Sequence, residues 1–535
     1  MFDSIAQPYR KSRYSITARN GMVCSSNPLA SQAGLDMLKK GGNAVDAAIA
    51  TAAVLSVVEP MSNGLGGDAF AIVWMKERLY GLNASGYSPK GMTIDALKER
   101  GYTTVPKRGW IPVTVPGQPK AWAALSRRFG KLGLKEVLQP AIHYAKEGYP
   151  LSPVAAYLWK KYVEKNTPLF QKDAAFQEWF RVFTKEGRPY EFGDIVKFPD
   201  HARTLELIAE SDGEVFYHGE IADAIEKQSR RDHGLIEKSD LEAYDVEWVE
   251  PISVNYRGYD VWEIPPNGQG IVTLMALNIL KNFDFVNKED AETYHRQFEA
   301  IKYAFSDALA TVTDSRDMKV DVRTFLTDAY GKERAAQIGW SASQPKVTHP
   351  PKSGTVYLCS ADQEGNMVSF IQSNYMDFGS GIVIEGYGIA LQNRGADFSL
   401  DPSDANALAP RKRCYHTIIP GFLTKDGKAV GPFGVMGGYM QPQGHLQVLM
   451  NYIDFHLNPQ MCIDAPRWQW KEEKRFIVEP QFDPHLVEEL RRRGHEVGVS
   501  ENCFSYGRAE MILRLDNGSY VGATESRTDG NISCY

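Results

Sequence analysis

Residues 354–372 read Gly354-Thr-Val-Tyr-Leu-Cys-Ser-Ala-Asp-Gln-Glu-Gly-Asn-Met-Val-Ser-Phe-Ile-Gln372. Two runs rich in β-branched and aromatic residues, 355–360 and 367–372, flank the turn-forming segment 362–366. A strand, a tight turn and a second strand in this order predict a β-hairpin. The first strand of that hairpin would open at the bond between Gly354 and Thr355.

The Gly354-Thr355 junction offers nucleophilic chemistry if the backbone is cut there. The new α-amine would lie beside the Thr355 hydroxyl, so one residue would hold both the nucleophile and its base. An α-amino group has a pKa of about 7.7 to 8.0, so near neutral pH part of it is free to accept the hydroxyl proton. Gly354 has no Cβ that would obstruct attack on its own carbonyl. From the residues alone, a threonine that opens an edge strand after a glycine turn is usually structural.

Helix and strand patterns alternate on both sides of this hairpin. Asn43 offers an N-cap to an alanine-rich helix over 44–58, and the glycine-rich loop 64–67 leads into a buried strand over 69–74. Helical patterns dominate 120–236, and another strong helix is predicted over 291–312. Strand-like segments follow at 381–389, 415–423 and 508–515, so the last third is predicted to be rich in sheet.

The composition is that of a globular chain with a small partner. The 535 residues include 60 Lys plus Arg and 66 Asp plus Glu, for a net charge of −6, and no basic run suggests nucleic acid or an anionic membrane. The most apolar stretch, 44–58, contains Asp46 and is shorter than the roughly 18 residues of a membrane span. Asp3 and Pro8 interrupt the apolar run that an export signal needs. We therefore expect a soluble, cytoplasmic protein.

Familiar metal, cofactor and hydrolase motifs are missing from the sequence. The six cysteines lie far apart without a Cys-x-x-Cys pair. His295 and Glu299 share a predicted helix but lack the His-Glu-x-x-His spacing, so we expect a solvated helical face there rather than a metal site. Neither a complete dinucleotide fingerprint, nor a Walker motif, nor a Gly-x-Ser-x-Gly elbow is present. We expect no metal and no organic cofactor.

The chain resembles the γ-glutamyltranspeptidase family of N-terminal-nucleophile hydrolases, from about residue 18 to residue 535. The motifs that carry this resemblance occur in the family's order. In the first part of the chain they are Gly41-Gly-Asn-Ala-Val-Asp-Ala-Ala48, Val58-Glu-Pro60, Gly64-Leu-Gly-Gly67, Gln139-Pro-Ala-Ile142, Pro265-Pro-Asn-Gly-Gln-Gly270 and Leu277-Asn-Ile-Leu280. In the second part they are Gly354-Thr355, Asp362-Gln-Glu-Gly-Asn366, Phe378-Gly-Ser-Gly381, 393–399 and Gly437-Gly438.

The resemblance implies an α+β fold, a four-layer αββα sandwich made by a precursor that cleaves itself before its nucleophile. Cleavage would give a large region, 1–354, and a small region, 355–535, that stay together as a heterodimer in one compact body; further dimerisation is left open. The resemblance makes Thr355 the nucleophile, with Ser373 supporting it and the backbone N–H groups of Gly437-Gly438 forming the oxyanion hole. Without the resemblance, Gly437-Gly438 reads as a tight turn and Ser373 as an ordinary strand serine.

The substrate-binding positions depart from the family's pattern. In typical members, an arginine of the large subunit binds the α-carboxylate of the γ-glutamyl group through a bidentate pair of bonds. Here Ser85 occupies that position. His416 and Thr417 match paired serines that help to hold the same carboxylate, and Tyr375 matches an asparagine that contacts the substrate amino group.

Two further positions bear on the charge of the substrate. Arg394 matches a family glutamine, whereas Asp397 keeps its identity as the carboxylate that faces the substrate ammonium. Arg394 and His416 offer positive charge for a substrate carboxylate at new positions; the alternative is a structural ion pair between Arg394 and Asp397. The stretch 401–410 is shorter than the family's usual lid region, which would leave the pocket open to larger groups.

Three functions are compatible with these residues. The first is a self-processing γ-glutamyltransferase or glutathione hydrolase-like amidase, in which an acyl-enzyme on Thr355 passes its acyl group to water or an amine. The second is a cephalosporin acylase that removes glutaryl groups, since a glutaryl chain is a γ-glutamyl group without its α-amine. The third is an unprocessed binding protein of the same fold.

Overall fold

The computed structural model describes residues 13–344 and 354–535. The start of the chain, on which the expectation about an export signal rests, lies outside the described residues. Two seven-stranded sheets form the centre of the molecule, and their strands pair in antiparallel order.

The strands of the described residues, in chain order, are β1 (Ile16–Ala18), β2 (Gly21–Ser25), β3 (Asp68–Met75), β4 (Arg78–Ala84), β5 (Tyr149–Pro150), β6 (Ile195–Val196), β7 (Glu247–Val249), β8 (Ile252–Tyr256), β9 (Tyr259–Glu263), β10 (Gly354–Asp362), β11 (Met367–Tyr375), β12 (Val383–Ile384), β13 (Ile389–Ala390), β14 (Gly421–Lys425), β15 (Lys428–Met436), β16 (Trp468–Glu472), β17 (Arg475–Val478), β18 (Glu496–Val499), β19 (Arg508–Arg514), β20 (Tyr520–Thr524) and β21 (Asn531–Cys534).

The α-helices of the same residues are α1 (Pro28–Lys39), α2 (Ala44–Val58), α3 (Ile94–Glu99), α4 (Gln118–Phe129), α5 (Leu134–Val137), α6 (Gln139–Glu147), α7 (Pro153–Phe170), α8 (Gln177–Phe183), α9 (Pro199–Glu210), α10 (Glu214–His218), α11 (Glu220–Arg231), α12 (Lys238–Glu242), α13 (Gly270–Leu280), α14 (Ala291–Leu309), α15 (Asp328–Ala336), α16 (Gln441–Ile453), α17 (Pro459–Asp464) and α18 (Pro484–Arg492). None of them is both long enough and apolar enough to cross a membrane.

The two sheets pack face to face, and helices cover both outer surfaces. The first sheet has the order β21-β2-β10-β11-β3-β4-β7, and the second has the order β1-β20-β19-β15-β14-β9-β8. Strand β10 contacts β15 and β19 across the interior, where the Tyr357 ring lies against Gly434. Helices α1 and α2 cover the first sheet, and α13 and α16 cover the second. The fold is therefore the predicted α+β sandwich of four layers, αββα.

Both sheets draw strands from both sides of the Gly354-Thr355 bond. The first sheet takes β2, β3, β4 and β7 from the part before this bond, and β10, β11 and β21 from the part after it. The second sheet takes β1, β8 and β9 from before the bond and β14, β15, β19 and β20 from after it. The bond is therefore not a boundary between two separately folded domains.

Helix α2 shows how the sequence specifies one of these layers. Asn43 caps the helix, because its side chain accepts from the backbone N–H groups of Val45 and Asp46, and Asp46 accepts from the N–H of Asn43 in return. All 15 residues of α2 are buried. An apolar helix with no polar face has to lie inside the molecule. The prediction of a capped, buried helix over 44–58 is confirmed.

The predicted hairpin is confirmed, but two of the predicted strands are wrong. Segment 381–389 contributes only β12 and part of β13, each two residues long. Segment 415–423 becomes regular strand only from Gly421. The reason lies at His416, whose backbone N–H and carbonyl bond to Asn267 and Gln269 of a distant loop, at 2.9 Å each, so these groups do not join a neighbouring strand.

Candidate active site

Thr355 lies at an irregularity in the strand pair β10–β11. Gly354 pairs with Tyr375 and Val356 with Gln372, so Thr355 faces two residues of the partner strand, Ser373 and Asn374. Such a bulge bends a strand and re-aims its side chains, and bulges are common beside active sites. Here it turns the Thr355 hydroxyl back toward the peptide bond that precedes it.

The Thr355 hydroxyl contacts the two groups that its chemistry would need. Its Oγ1 donates to the carbonyl oxygen of Gly354 at 2.7 Å and lies 3.3 Å from Oγ of Ser373. Ser373 Oγ donates to the same Gly354 carbonyl at 2.6 Å and accepts from the N–H of Tyr375 at 2.8 Å. Thr355 and Ser373 are both fully buried. Ser373 thus fixes both the Gly354 carbonyl and the Thr355 side chain.

Gly437 and Gly438 form the turn between β15 and α16. Their φ angles are +134° and +62°, a backbone region that favours glycine. A Cβ on Gly437 would lie 3.2 Å from the Cα of Gly507. Within the described residues, neither N–H of this pair has a hydrogen-bond acceptor. The pair is a tight turn, and it also leaves two backbone donors available to an anion.

Arg394 lies fully buried on a short 3-10 turn, Arg394–Asp397, between Tyr375 and Thr417. Its Nη1 donates to Thr417 Oγ1 at 2.8 Å, and its guanidinium carbon lies 3.9 Å from the centre of the Tyr375 ring. The alternative of an ion pair with Asp397 is realised only loosely, because Nη1 lies 3.8 Å from Asp397 Oδ2. The Tyr375 hydroxyl donates to the other carboxylate oxygen, Oδ1. Burial raises the pKa of Asp397 to about 6, although Arg394 and Tyr375 act in the opposite direction.

His416 is paired with a residue that the sequence did not single out, Asp68. Its Nε2 lies 3.0 Å from Asp68 Oδ2, and its Nδ1 accepts from the N–H of Ile418. This arrangement places the ring proton on Nε2. Burial, with a further contribution from Arg394, lowers the pKa of His416 well below its usual value. The ring is therefore neutral, contrary to the expectation that His416 supplies positive charge.

Asp68 is the first residue of β3 and faces Ser373 in the neighbouring strand. Its Oδ1 accepts from the backbone N–H groups of Gly86 and Gly117 and from Gln392 Nε2. Burial raises the pKa of Asp68 to about 7, while Arg394 and these donors lower it. One carboxylate thus joins several loops around the site. The glycine-rich loop 64–67 marked this place in the sequence, but no local signal identified its partner, which is 348 residues away.

Ser85 supplies no charge where the family's arginine would stand. Its hydroxyl is buried and donates to Asn83 Oδ1 at 2.7 Å, with Asn267 Oδ1 at 3.3 Å. Asn267 in turn accepts from the N–H of His416 through its backbone carbonyl. Ser85 is therefore part of the polar support beneath His416.

Gln269 connects Thr417, the hydrogen-bond partner of Arg394, to the Gly437-Gly438 turn. Its Nε2 donates to the carbonyl of Thr417 at 2.6 Å and to the carbonyl of Gly438 at 2.9 Å. A continuous series of contacts therefore runs from Thr355 through Ser373, Tyr375, Arg394, Thr417 and Gln269 to Gly438. Gln269 lies in the Pro265–Gly270 motif, whose role the sequence did not predict.

The expected solvated face at His295 and Glu299 is wrong, because both side chains are buried. His295 Nδ1 lies 2.8 Å from His495 Nε2, and Glu299 forms an ion pair with the buried Lys302 at 2.7 Å. Glu299 also accepts from Ser343. These contacts join α14 to His495 and to Ser343.

The stretch 401–410 folds as a compact loop beside Asp397. Ser399 and Ala407 form a bridge, and the Asn406 side chain donates to the Asp397 carbonyl at 2.7 Å. Lys412 Nζ donates to the carbonyls of Ala405 and Ala407 at 3.1 and 3.0 Å. Residues 405–407 of the loop are thus held against Asp397 and Lys412.

The chain belongs to the γ-glutamyltranspeptidase family, because the Gamma-glutamyltranspeptidase family model matches residues 30–535. This is a family of N-terminal-nucleophile hydrolases, and hydrolysis is the activity that membership supports. The chain is 53% identical to the protein in the "Crystal structure of cephalosporin acylase from Bacillus halodurans", with a TM-score of 0.95 over 100% of this chain and 99% of that one.

Two further relatives are named for other activities. The chain is 37% identical over 529 residues to the "Glutathione hydrolase-like YwrD proenzyme" of Bacillus subtilis, covering 96% of this chain and 98% of the relative. It is 33% identical over 529 residues to the "Oxamate amidohydrolase proenzyme" of Klebsiella pneumoniae, with the same coverage of both chains. Relatives of similar length thus differ in the amide that they are named for.

Proposed function

We propose that this protein is a self-processing amidohydrolase with Thr355 as its nucleophile. The observation that carries the proposal is the position of the Thr355 hydroxyl, 2.7 Å from the carbonyl oxygen of the preceding Gly354 and supported by Ser373. A hydroxyl held against its own preceding peptide bond suits cleavage of that bond. The description of the relatives as proenzymes supports the same reaction.

Maturation would begin when Thr355 Oγ attacks the carbonyl carbon of Gly354. The new C–O bond forms as the C–N bond breaks, which converts the peptide into an ester and frees the Thr355 amine. Water then hydrolyses the ester, leaving a carboxylate on Gly354 and a hydroxyl on Thr355. The products are the fragments 1–354 and 355–535.

Turnover would use the amine that maturation has released. This amine takes the Thr355 hydroxyl proton while Oγ attacks the amide carbonyl of the substrate, since an ordinary α-amino group is partly unprotonated near neutral pH. The proton then passes to the leaving amine, and water or an acceptor amine resolves the acyl-enzyme. The free N–H groups of Gly437 and Gly438 would stabilise the oxyanion, and each such donor typically contributes about 2.7 to 4 kcal/mol.

The acyl donor is a γ-glutamyl group or a similar dicarboxylic acyl group. The relative named as glutathione hydrolase-like supports a γ-glutamyl donor. Ser85 in place of the arginine and the similarity to a cephalosporin acylase favour the second candidate, a glutaryl acylase.

Turnover of γ-glutamyl p-nitroanilide should be compared with that of a glutaryl-aminocephalosporin. If the anilide is strongly preferred, the acylase is excluded; if neither is hydrolysed and the chain stays uncut, the binding protein is the correct alternative.

The two fragments are expected to remain together after cleavage. Strand β10 begins the small fragment and pairs with β2 of the large one, and β11 pairs with β3. Because both sheets contain strands from both fragments, separation would expose the sandwich core to water. On size exclusion in native buffer, both fragments should elute as one species, and they should separate only in denaturant. Separate native elution of the two fragments would contradict this expectation.

A further inference from the structure

The Arg394 guanidinium has two N–H groups without a partner. Within the described residues, neither Nε nor Nη2 makes a hydrogen bond, although the whole side chain is buried. Leaving a buried donor unpaired costs free energy, and the cost is greater when the group is charged. Nε and Nη2 are neighbours on one edge of the guanidinium plane. They form the fork that binds both oxygens of a carboxylate at once.

The rest of Arg394 is held in place. Nη1, on the opposite side of the group, donates to Thr417 Oγ1 at 2.8 Å. One face of the guanidinium lies over the Tyr375 ring, with 3.9 Å between its carbon and the ring centre. The fork is therefore pre-oriented, and an anion that reaches it would lose little free energy to side-chain ordering.

Asp397 does not occupy the fork. Its Oδ2 approaches Nη1, at 3.8 Å, while Oδ1 accepts from the Tyr375 hydroxyl. Asp397 therefore approaches Arg394 only at its anchored side, and among the described residues it leaves Nε and Nη2 without an acceptor. Neighbouring His416 is neutral and engaged with Asp68, so it does not compete for an anion.

Arg394 is connected to the reacting groups through Tyr375 and Ser373. Tyr375, on which Arg394 stacks, donates its backbone N–H to Ser373, and Ser373 contacts Thr355. On the other side, Thr417 is joined through Gln269 to Gly438. Contacts on both sides therefore place Arg394 in the same connected network as the nucleophile and the glycine turn.

We propose that Arg394 binds a carboxylate at the far end of the acyl group, through a bidentate pair of bonds from Nε–H and Nη2–H. The substrate class would be half-amides of dicarboxylic acids. Arg394 would thus replace, from the small fragment and from a new position, the arginine that Ser85 displaces in the large one. This inference rests on the proposed function, because it takes Thr355 as the site of acylation.

The test compares two p-nitroanilides that differ only at the far end of the acyl chain. Glutaryl p-nitroanilide ends in a carboxylate, and pentanoyl p-nitroanilide ends in a methyl group. A site built to bond a polar group strongly rejects the analogue that lacks it, so the wild-type ratio of kcat/KM should favour glutaryl by at least about 100-fold. Arg394→Gln, which places the family's residue at this position, should reduce the ratio to below about 10.

Two further variants separate geometry from charge. Arg394→Lys keeps the charge but lacks the fork, so its ratio should also fall, by about tenfold. Lys107→Gln is the control: Lys107 is an exposed cation whose charge acts on Asp397. Its ratio should stay within about threefold of wild type. Cleavage at residue 355 and an unchanged elution volume would show that each variant is folded.

A second measurement does not depend on turnover. Binding of glutarate and of pentanoate is measured by calorimetry on the wild type and on Arg394→Gln. If the wild type binds glutarate and Arg394→Gln does not, the role of Arg394 is supported. This holds even if neither anilide is hydrolysed, a result that would contradict only the proposed function. Hydrolysis with a glutaryl-to-pentanoyl ratio that is the same in wild type and Arg394→Gln would overturn the role of Arg394 and leave the proposed function standing.

Discussion

Thr355→Ala is expected to remain a single chain of 535 residues and to lose amidase activity by roughly 10⁴-fold or more. The substitution removes the Oγ that lies 2.7 Å from the Gly354 carbonyl oxygen, so the ester that leads to cleavage has no atom from which to form. Without cleavage the α-amine stays in a peptide bond, and the base is lost together with the nucleophile. Denaturing electrophoresis and anilide hydrolysis measure the two effects.

Thr355→Ser is the matched control for this variant. Serine keeps the hydroxyl and, once cleaved, offers the same amine, so we expect two fragments and measurable activity. Two fragments from Thr355→Ala would show that another residue cuts the chain. An uncut Thr355→Ala protein that hydrolyses substrate at the wild-type rate would show that Thr355 is not the nucleophile.

Arg527→Met should lower the free energy of unfolding by about 3 to 5 kcal/mol. Arg527 binds Glu479 through two bonds, at 2.7 and 2.6 Å, and Glu525 through a third at 2.7 Å. All three side chains are buried. Without Arg527, Glu479 loses its bidentate partner and Glu525 keeps only Arg467, at 2.9 Å, as a charged partner within the described residues. The substitution is made in the Thr355→Ala background, which we expect to stay uncut. Urea unfolding then measures the free energy of unfolding of a single chain.

Arg492→Met is the control for this measurement. Arg492 pairs with Glu489 on α18, but its side chain is 70% exposed, so the loss should be below about 1 kcal/mol. Equal losses in the two variants would contradict the importance of the buried cluster.

That cluster also supports the active site, since Arg467 donates to the carbonyls of Tyr506 and Gly507, and Gly507 packs against Gly437.

The same cluster gives stability a dependence on acid. Burial alone would raise the pKa of Glu525, but Arg467 and Arg527 lower it from 4.5 to about 2. A depressed carboxylate pKa stabilises the fold fully above the unfolded value and loses that contribution as the pH falls toward the folded one. In the Thr355→Ala background, the part of the unfolding free energy that depends on Arg527 should therefore decrease between about pH 4.5 and pH 2.

The hairpin and helix α2 could be predicted because their signals are local. The runs of β-branched and aromatic residues, the turn at 362–366 and the Asn43 cap lie within the elements that they define. The strand expected over 415–423 was wrong because Asn267 and Gln269, distant in the sequence, take the backbone bonds of His416. Likewise, nothing near His295 indicates that His495 packs against it and removes it from solvent.

The residues of the candidate site also divide into those that the sequence predicted and those that it missed. The sequence singled out Thr355, Ser373, Arg394, Asp397 and Gly437-Gly438. The structure links them through Tyr375, Thr417 and Gln269 in a series of contacts that ends at Gly438. The sequence missed Gln269, which joins Thr417 to Gly438, and Asp68, which holds His416. Their roles exist only through partners from other parts of the chain. The charge of His416 was also misjudged, since burial beside Arg394 keeps its ring neutral.

The most direct test of the account is the N-terminal sequence and intact mass of the smaller chain in purified wild-type protein. We expect a fragment of 181 residues that begins Thr-Val-Tyr-Leu with a free amine, together with a large fragment that ends at Gly354. A single uncut chain, or a small fragment that begins at any other residue, would contradict the claim that Thr355 becomes an N-terminal nucleophile.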